Sequence, residues 1–138
     1  MIALDTNVLA RFYIAEMEVE PRKQHALAKR IMARPSLFVA RSVVLELEWV
    51  LRGGYGYARD EVVAVLQHLV GLPNVTIEVW EIVVDAIAGY RVGLDFADAL
   101  HLAAAGACEE FVSFDAKLAK SAAKLKLKPD VALVKVSL

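Results

Sequence analysis

Short apolar runs alternate with longer stretches of helical periodicity along the whole chain. Strands that alternate with helices are joined by crossover connections. The order therefore predicts an α/β fold, with a mostly parallel sheet covered by helices on both faces. The predicted strands are residues 2–4, 37–40, 75–80, 111–114 and 131–136. The predicted helices are residues 6–15, 21–34, 42–53, 60–71, 81–92, 96–107 and 116–126.

The size of the chain predicts one domain, and its composition predicts an additional apolar surface. A chain of 138 residues can bury a substantial core, and we expect a single domain over residues 1–138. Hydrophobic residues make up 58% of the chain, against about 45–50% in ordinary soluble domains. The excess predicts a self-association or partner interface. A membrane span is not predicted, because the longest charge-free run, residues 62–77, is interrupted by polar residues, glycine and proline.

Charge and cysteine content exclude several classes of protein. Charged residues recur through residues 1–20, which argues against a secretory signal and predicts a cytoplasmic protein. Cys108 is the one cysteine of the sequence, so neither a disulfide framework nor a cysteine zinc site is predicted. The net charge of −1 provides no overall field that attracts nucleic acid. Any nucleic-acid contact must therefore come from a local patch.

Two aspartates directly follow predicted strands. Asp5 follows the first strand and Asp115 follows the fourth. Ligands of open parallel sheets bind beyond the carboxyl ends of the strands, where both residues are expected. The alternative is a helix cap, because Asp often accepts a hydrogen bond from the first N–H groups of a helix. The cap is the better local interpretation for Asp115, whereas for Asp5 both remain open, because Thr6 could itself cap the helix.

Two glutamates of the segment LELEWVLR have different predicted surroundings. On a helical wheel Glu46 falls between Trp49 and Val50, which predicts that its carboxylate is directed toward the interior. Glu48 falls beside Arg52 with i, i+4 spacing, which predicts an exposed ion pair. Burial of an ionised carboxylate without a partner is costly. Glu46 therefore pairs with an arginine, lines a cleft or stays protonated.

The helix predicted over residues 96–107 begins near two aspartates. Asp95 and Asp98 have i, i+3 spacing, which predicts Asp95 as the helix cap. Asp98 is then either a partner of the helix dipole or a cleft carboxylate at the head of a buried helix. His101 lies one turn further on and is predicted to be an ordinary core residue.

The carboxylates of Asp5, Glu46, Asp98 and Asp115 are candidates for one metal site. If they converge, each pair of charges about 5 Å apart repels by about 3 kcal/mol at an effective dielectric of about 20. Either several are protonated or a divalent cation neutralises them. Oxygen ligands without His or Cys select a hard ion, Mg²⁺ or its substitute Mn²⁺. Such an ion suits phosphodiester hydrolysis, because it polarises a phosphoryl oxygen and lowers the pKa of an attacking water.

Four motifs resemble those of the PIN-domain family, and most closely its VapC-type toxins, the ribonuclease half of bacterial toxin–antitoxin pairs. The resemblance covers essentially the whole chain, the motifs stand in the expected order, and as a set they are specific. The motifs are LDTNVL at 4–9, LELEWVL at 45–51, GLDFADALHLAAA at 93–105 and FVSFDAKL at 111–118.

The resemblance implies a three-layer α/β/α sandwich with a central, mostly parallel sheet. It implies an Mg²⁺- or Mn²⁺-dependent endoribonuclease that leaves a 5′-phosphate and a 3′-hydroxyl on RNA. It also implies a homodimer that is inhibited by a cognate antitoxin. The small polar residues Thr6 and Asn7 would orient the first acid and a water molecule by hydrogen bonds. By motif, the catalytic and metal-binding acids are Asp5, Glu46, Asp98 and Asp115.

Other functions fit parts of the pattern. An aspartyl phosphatase resembling the haloacid dehalogenase family needs a second Asp two residues after Asp5, where this chain has Asn7. A catalytically silent PIN-like module would bind RNA or a protein without hydrolysis. The loop RGGYGYAR at 52–59, with Tyr55 and Tyr57, either stacks RNA bases or serves as a helix connection or dimer contact.

Overall fold

Parallel strands followed by helices form the frame of the chain. The computed structural model describes residues 1–14 and 19–135. The chain divides into two units, Met1–Trp80 and Glu81–Leu138, and each contains a parallel sheet. The predicted α/β class is confirmed, and each predicted strand and helix has a counterpart.

A three-stranded parallel sheet carries the first unit. Its strands are β1 (Ile2–Ala3), β2 (Leu37–Val39) and β3 (Val75–Ile77), in that spatial order. Its helices are α1 (Thr6–Tyr13), α2 (Val19–Met32), α3 (Arg41–Trp49) and α4 (Arg59–Val70), and a π-helical turn over Val50–Gly54 follows α3. Ile2 lies opposite Leu37, and Leu37 opposite Val75. Leu37 and Val39 of the central strand are fully buried, which places the core of this unit around β2.

Helix α4 illustrates how local sequence sets the boundaries and the buried face of a helix. Its buried residues Val62, Leu66 and Leu69 recur at i, i+4 and i+7, the spacing of one helical face. At its start, the Glu61 carboxylate accepts a hydrogen bond from the Ala58 backbone N–H at 2.9 Å. That bond satisfies a donor that the helix itself leaves unpaired.

The strand predicted over residues 75–80 is too long, because β3 ends three residues earlier. Glu78 still donates its backbone N–H to the Val39 carbonyl at 2.9 Å. Its Oε1 atom, however, accepts hydrogen bonds from the Arg41 backbone N–H at 3.0 Å and from Arg41 Nε at 3.3 Å. Val79 then enters the left-handed region with φ of 46°, which ends the extended chain. The first N–H of α3 is therefore held by the residue that follows β3.

A two-stranded parallel sheet lies in the second unit. The elements are α5 (Trp80–Arg91), which begins at the last residue of the first unit, α6 (Phe96–Ala104), β4 (Glu110–Ser113), α7 (Ala116–Lys124) and β5 (Asp130–Leu133). A Cβ atom on Gly89 of α5 would lie 3.3 Å from Ala99 Cβ and from Leu94 Cδ1, so glycine permits this close approach to α6. The buried rings of Tyr90 and Phe96 meet edge to face with centroids 5.5 Å apart.

Several elements end earlier than the sequence pattern predicts. The helix predicted over residues 96–107 ends at Ala104. The strand predicted over residues 131–136 covers Asp130–Leu133. Residue 15 of the first predicted helix and residue 136 of the last predicted strand lie outside the described residues. Among residues 1–14 and 19–135, no helix has the length and apolar character that a membrane crossing requires.

Substitution Glu78→Gln should lower the melting temperature at pH 7. The hydrogen bonds and positive charge of Arg41 hold the pKa of Glu78 below its ordinary value. A carboxyl group whose pKa is lowered on folding stabilises the protein at pH values above its unfolded-state pKa of about 4.3. This stabilisation is lost as the pH falls through the folded-state pKa. Thermal melts at pH 7 should therefore separate the variant from wild type, and melts near pH 3 should not. The exposed Glu109 provides the matched control, and an equal effect of Glu109→Gln would contradict the assignment.

Candidate active site

Asp5 and Glu46 line the same pocket of the first unit. The pocket has a volume of about 250 Å³ and is formed by α1 and its cap, the second half of α3, the π-helical turn and the residue that follows the turn. Two of the predicted acids, taken from separate motifs, are thus brought together within this unit. The lining residues are Asp5, Thr6, Asn7, Ala10, Arg11, Glu46, Val50 and Tyr55.

Asp5, rather than Thr6, is the cap of α1. Its backbone is extended, and its Oδ1 atom accepts a hydrogen bond from the Thr6 backbone N–H at 2.7 Å. The side chain is nevertheless exposed at the pocket. A carboxylate has two oxygen atoms with about four acceptor positions, so the cap bond leaves capacity for a ligand. The positive end of the α1 dipole also favours a negative charge here.

Thr6 carries a buried polar atom that lacks a partner. Its Oγ1 atom is buried and has no hydrogen bond to any residue that the structure describes. An unsatisfied buried hydroxyl costs about 1–3 kcal/mol, and an ion bound in the pocket that Thr6 lines would offset that cost. The pocket offers the carboxylates of Asp5 and Glu46 as oxygen ligands, and Mg²⁺ is commonly held by only one or two carboxylates. The donor set therefore fits a hard divalent cation.

The predicted burial of the two glutamates of α3 is reversed in the structure. Glu46 is exposed, whereas Glu48 is buried. The buried arc of the helix runs through Val44, Leu47 and Glu48, and Trp49 is 61% exposed. The helical wheel predicts the wrong buried face because both arcs of this helix carry large apolar residues, and a large apolar residue need not be buried. Glu46 lines the pocket from its exposed side instead of lying in the core.

The predicted ion pair between Glu48 and Arg52 is present, with 2.6 Å between Arg52 Nε and Glu48 Oε2. It is not the exposed pair that the spacing predicted, because the Glu48 carboxylate is buried while Arg52 is about half exposed. Arg52 belongs to the π-helical turn. Since a buried carboxylate without its partner is strongly unfavourable, this pair fixes the turn against the buried face of α3.

A basic and an aromatic residue, Arg11 and Tyr55, also line the pocket. Arg11 Nη1 donates a hydrogen bond to the Tyr55 hydroxyl at 3.4 Å. Sequence reasoning missed Arg11, although its position four residues after Asn7 puts both on one face of α1. The predicted stacking loop contains Tyr55, but no sequence pattern indicated that its side chain would lie beside Glu46.

The other two acids, Asp98 and Asp115, lie near each other in the second unit. Asp95 is the cap of α6, as predicted, and accepts a hydrogen bond from the Asp98 backbone N–H at 3.3 Å. Asp98 is half-buried, and its pKa is raised first by desolvation and then by the charges of Asp95 and Asp115. His101 has the opposite effect on that pKa. The prediction of a core histidine is wrong, because His101 is exposed.

Asp115 is the cap of α7, which confirms the local interpretation. Its Oδ1 atom accepts a hydrogen bond from the Leu118 backbone N–H at 3.1 Å, and its own N–H donates to Ser113 Oγ at 3.0 Å. The side chain is exposed. Capping therefore does not prevent its charge from acting on Asp98.

The four predicted acids form two pairs, one in each unit. Asp5 and Glu46 share a pocket, and Asp98 and Asp115 interact electrostatically. Over the described residues, neither unit contains a group of three or more His, Cys, Asp or Glu side chains arranged to hold a metal. That all four acids serve one metal site remains a prediction.

Substitution Thr6→Val should stabilise the protein in EDTA. Val has nearly the shape of Thr and removes the unsatisfied hydroxyl, so the free energy of unfolding should rise by about 1 kcal/mol. Urea denaturation measures the change. Thr6→Ser retains the hydroxyl and serves as the control. Any loss of stability in Thr6→Val would show that the hydroxyl is satisfied in the metal-free protein.

Substitution Asp98→Asn should alter the pH dependence of stability in EDTA. Because the folded-state pKa of Asp98 is raised, wild type binds the proton more tightly when folded and loses stability as pH rises through that pKa. The variant lacks this loss, so its stability relative to wild type should be greater at pH 8 than at pH 4. Denaturation at both values measures the difference. Asp85→Asn, at an exposed position of α5, should show no such trend, and a flat difference for Asp98→Asn would contradict the expectation.

Comparison with known proteins places the chain in a family. The family model described as PIN domain matches residues 2–124, a range that includes the four acids and both small polar residues. Searches of curated proteins and of solved structures each found no match. PIN domains are nuclease-type domains, generally hydrolases, and they typically use divalent metal ions. Because the match covers most of the chain, this protein belongs to the PIN domain family.

Proposed function

We propose that this protein is a metal-dependent endoribonuclease and the toxin component of a toxin–antitoxin pair. The observation that carries the proposal is the pocket in which Asp5 and Glu46 lie beside the unsatisfied hydroxyl of Thr6. Carboxylate oxygens that fit a hard divalent cation, in a nuclease-type domain, together favour hydrolysis of a phosphodiester bond. The family membership supports the reaction class.

The proposed cofactor is Mg²⁺, with Mn²⁺ as a substitute, because the candidate ligands are carboxylates without His or Cys. The residues that would hold it are Asp5, Glu46, Asp98 and Asp115. When bound, such an ion supplies positive charge that polarises a phosphoryl oxygen and acidifies a water molecule. Thr6 and Asn7 would fix the orientation of the first carboxylate and of a water molecule by hydrogen bonds.

The acids would divide the work at such a site. Asp5 and Asp98 would bind the metal directly, and Glu46 would bind it directly or through water. Asp115, which also caps α7, would complete the acidic wall or hold a second ion or the attacking water. Hydrolysis by water attack at phosphorus leaves a 5′-phosphate and a 3′-hydroxyl, the products that the resemblance implies.

The biological role that we propose is a cytoplasmic toxin that forms a homodimer and is inhibited by a cognate antitoxin. The toxin motifs of the sequence support this role. Exposed apolar side chains support contacts with other protein chains, since Leu27 is 54% exposed, Trp49 61% and Trp80 48%. The alternative is a catalytically silent RNA- or protein-binding module. It is favoured by the lack, within the described part of either unit, of three acids arranged around one metal.

Substitution Asp5→Asn should reduce RNA cleavage by at least about 100-fold, because several kcal/mol of charge stabilisation depend on the metal ligand and about 1.4 kcal/mol corresponds to a tenfold rate. The assay follows hydrolysis of a mixed single-stranded oligoribonucleotide by purified protein with MgCl₂. Asp60→Asn, an exposed acid of α4, should keep wild-type activity. Unchanged cleavage by Asp5→Asn would exclude Asp5 as a ligand. Mg²⁺ binding by wild type without any cleavage would favour the silent module.

A further inference from the structure

The acidic pocket of the first unit also has a basic and an aromatic lining residue. Arg11 lies one turn beyond Asn7 on α1, and Tyr55 follows the π-helical turn. Their side chains meet at 3.4 Å between Arg11 Nη1 and the Tyr55 hydroxyl. Tyr55 is 40% exposed. The pocket therefore combines carboxylates, a guanidinium group and an accessible aromatic ring.

The π-helical turn explains why Tyr55 lies in this pocket. At about 100° per residue, an uninterrupted helix would place Tyr55 about 180° away from Glu46 around the axis. A π-helical turn contains about one extra residue, so residues beyond it rotate back by about 100° and the separation falls to about 80°. The hydrogen bond from the Tyr55 N–H to the Val50 carbonyl closes this turn. The Tyr57 N–H then donates to the Leu51 carbonyl at 2.9 Å and fixes the loop that follows.

We propose that Tyr55 and Arg11 hold an unpaired nucleotide of the substrate beside the scissile phosphate. Tyr55 stacks on its base, and Arg11 contacts a flanking phosphate. This inference rests on the proposed nuclease function and names two residues that would hold unpaired RNA at its site.

Charge and shape favour this ligand. Asp5 and Glu46 repel phosphate, and Arg11 is the basic residue among those lining the pocket. A guanidinium group binds phosphate through paired N–H donors. Stacking requires the open face of a base, which a single strand offers and a duplex covers. Stacking is also tolerant of sequence, so Tyr55 selects for unpaired structure rather than for a particular base.

The test measures RNA binding without hydrolysis. An oligoribonucleotide carrying 2-aminopurine is titrated with protein in EDTA at low salt, and both fluorescence quenching and anisotropy are recorded. Tyr55→Ala and Tyr55→Leu should weaken binding of the single strand by about 10-fold or more and abolish the quenching. Tyr55→Phe should retain both, because it keeps the ring. Tyr57→Ala is the matched control from the same loop, and its residue is not among those lining the pocket.

A second pair of variants tests the phosphate contact. Arg11→Ala should reduce the slope of log affinity against log salt by about 0.7, the value for one phosphate contact in a single strand. Arg30→Ala, at an exposed position of α2, should leave the slope unchanged. Wild type should also prefer the single strand to the corresponding duplex, and Tyr55→Leu should lose that preference.

The outcomes separate this inference from the nuclease function. The inference is overturned if Tyr55→Ala and Tyr55→Leu keep the affinity and quenching of wild type. If cleavage still depends on Asp5 in that case, the proposed nuclease function is retained. A wild-type protein that neither binds nor cleaves the oligoribonucleotide overturns both. Binding that weakens equally for single strand and duplex shows a structural effect of the substitution and also overturns the inference.

Discussion

The placement of α3 depends on a carboxylate that lies outside it. Its cap residue, Ala40, has no side-chain acceptor, so the first N–H of the helix is bonded instead by Glu78, directly after β3. At the other end, Glu48 is buried and paired with Arg52. Neither contact involves a residue that lines the pocket, yet together they fix the helix that carries Glu46. The residue that follows β3 thus helps to position Glu46, because it holds the first N–H of α3.

The predicted acids of the strand ends are held where backbone N–H groups offset their charge. Asp5 caps α1 and Asp115 caps α7. Asp98 lies in the first turn of α6, which Asp95 caps. The positive ends of helices favour negative charge, so the capping acids Asp5 and Asp115 have local compensation before any metal binds. A carboxylate with one cap bond still has oxygen lone pairs available. Capping and metal binding are therefore compatible roles of one residue, not competing interpretations of it.

The sequence predicts the order of strands and helices well, because period-2 and period-3.6 patterns are local properties. The end of β3 was missed, since Glu78 and Val79 continue a β-like composition while tertiary contacts end the strand. Burial within α3 was also missed. Two apolar arcs compete on that helix, and only packing decides that Trp49 is exposed and Glu48 is buried.

Half of the residues that line the pocket could be predicted from the sequence. The motifs identify these residues even where the helical wheel predicts the wrong burial. Glu46 is such a case: its motif was informative although its predicted burial was wrong. Arg11 and the orientation of Tyr55 could not be predicted, because an inserted helical residue leaves no periodic signal. The unsatisfied Thr6 hydroxyl is likewise visible only in three dimensions.

The π-helical turn makes backbone geometry, rather than composition, the variable that places Tyr55. If the chain from Glu46 to Tyr55 continued as an ordinary helix of the same length, the ring would lie about 180° from Glu46 instead of about 80°, with every side chain unchanged. Glycines at positions 53 and 54 keep this segment free of bulky side chains. A change that converts this turn to ordinary helix at constant length would therefore alter which molecules the pocket accepts without replacing any of its acids. The helical form of five residues thus governs the reach of a ring that none of them carries.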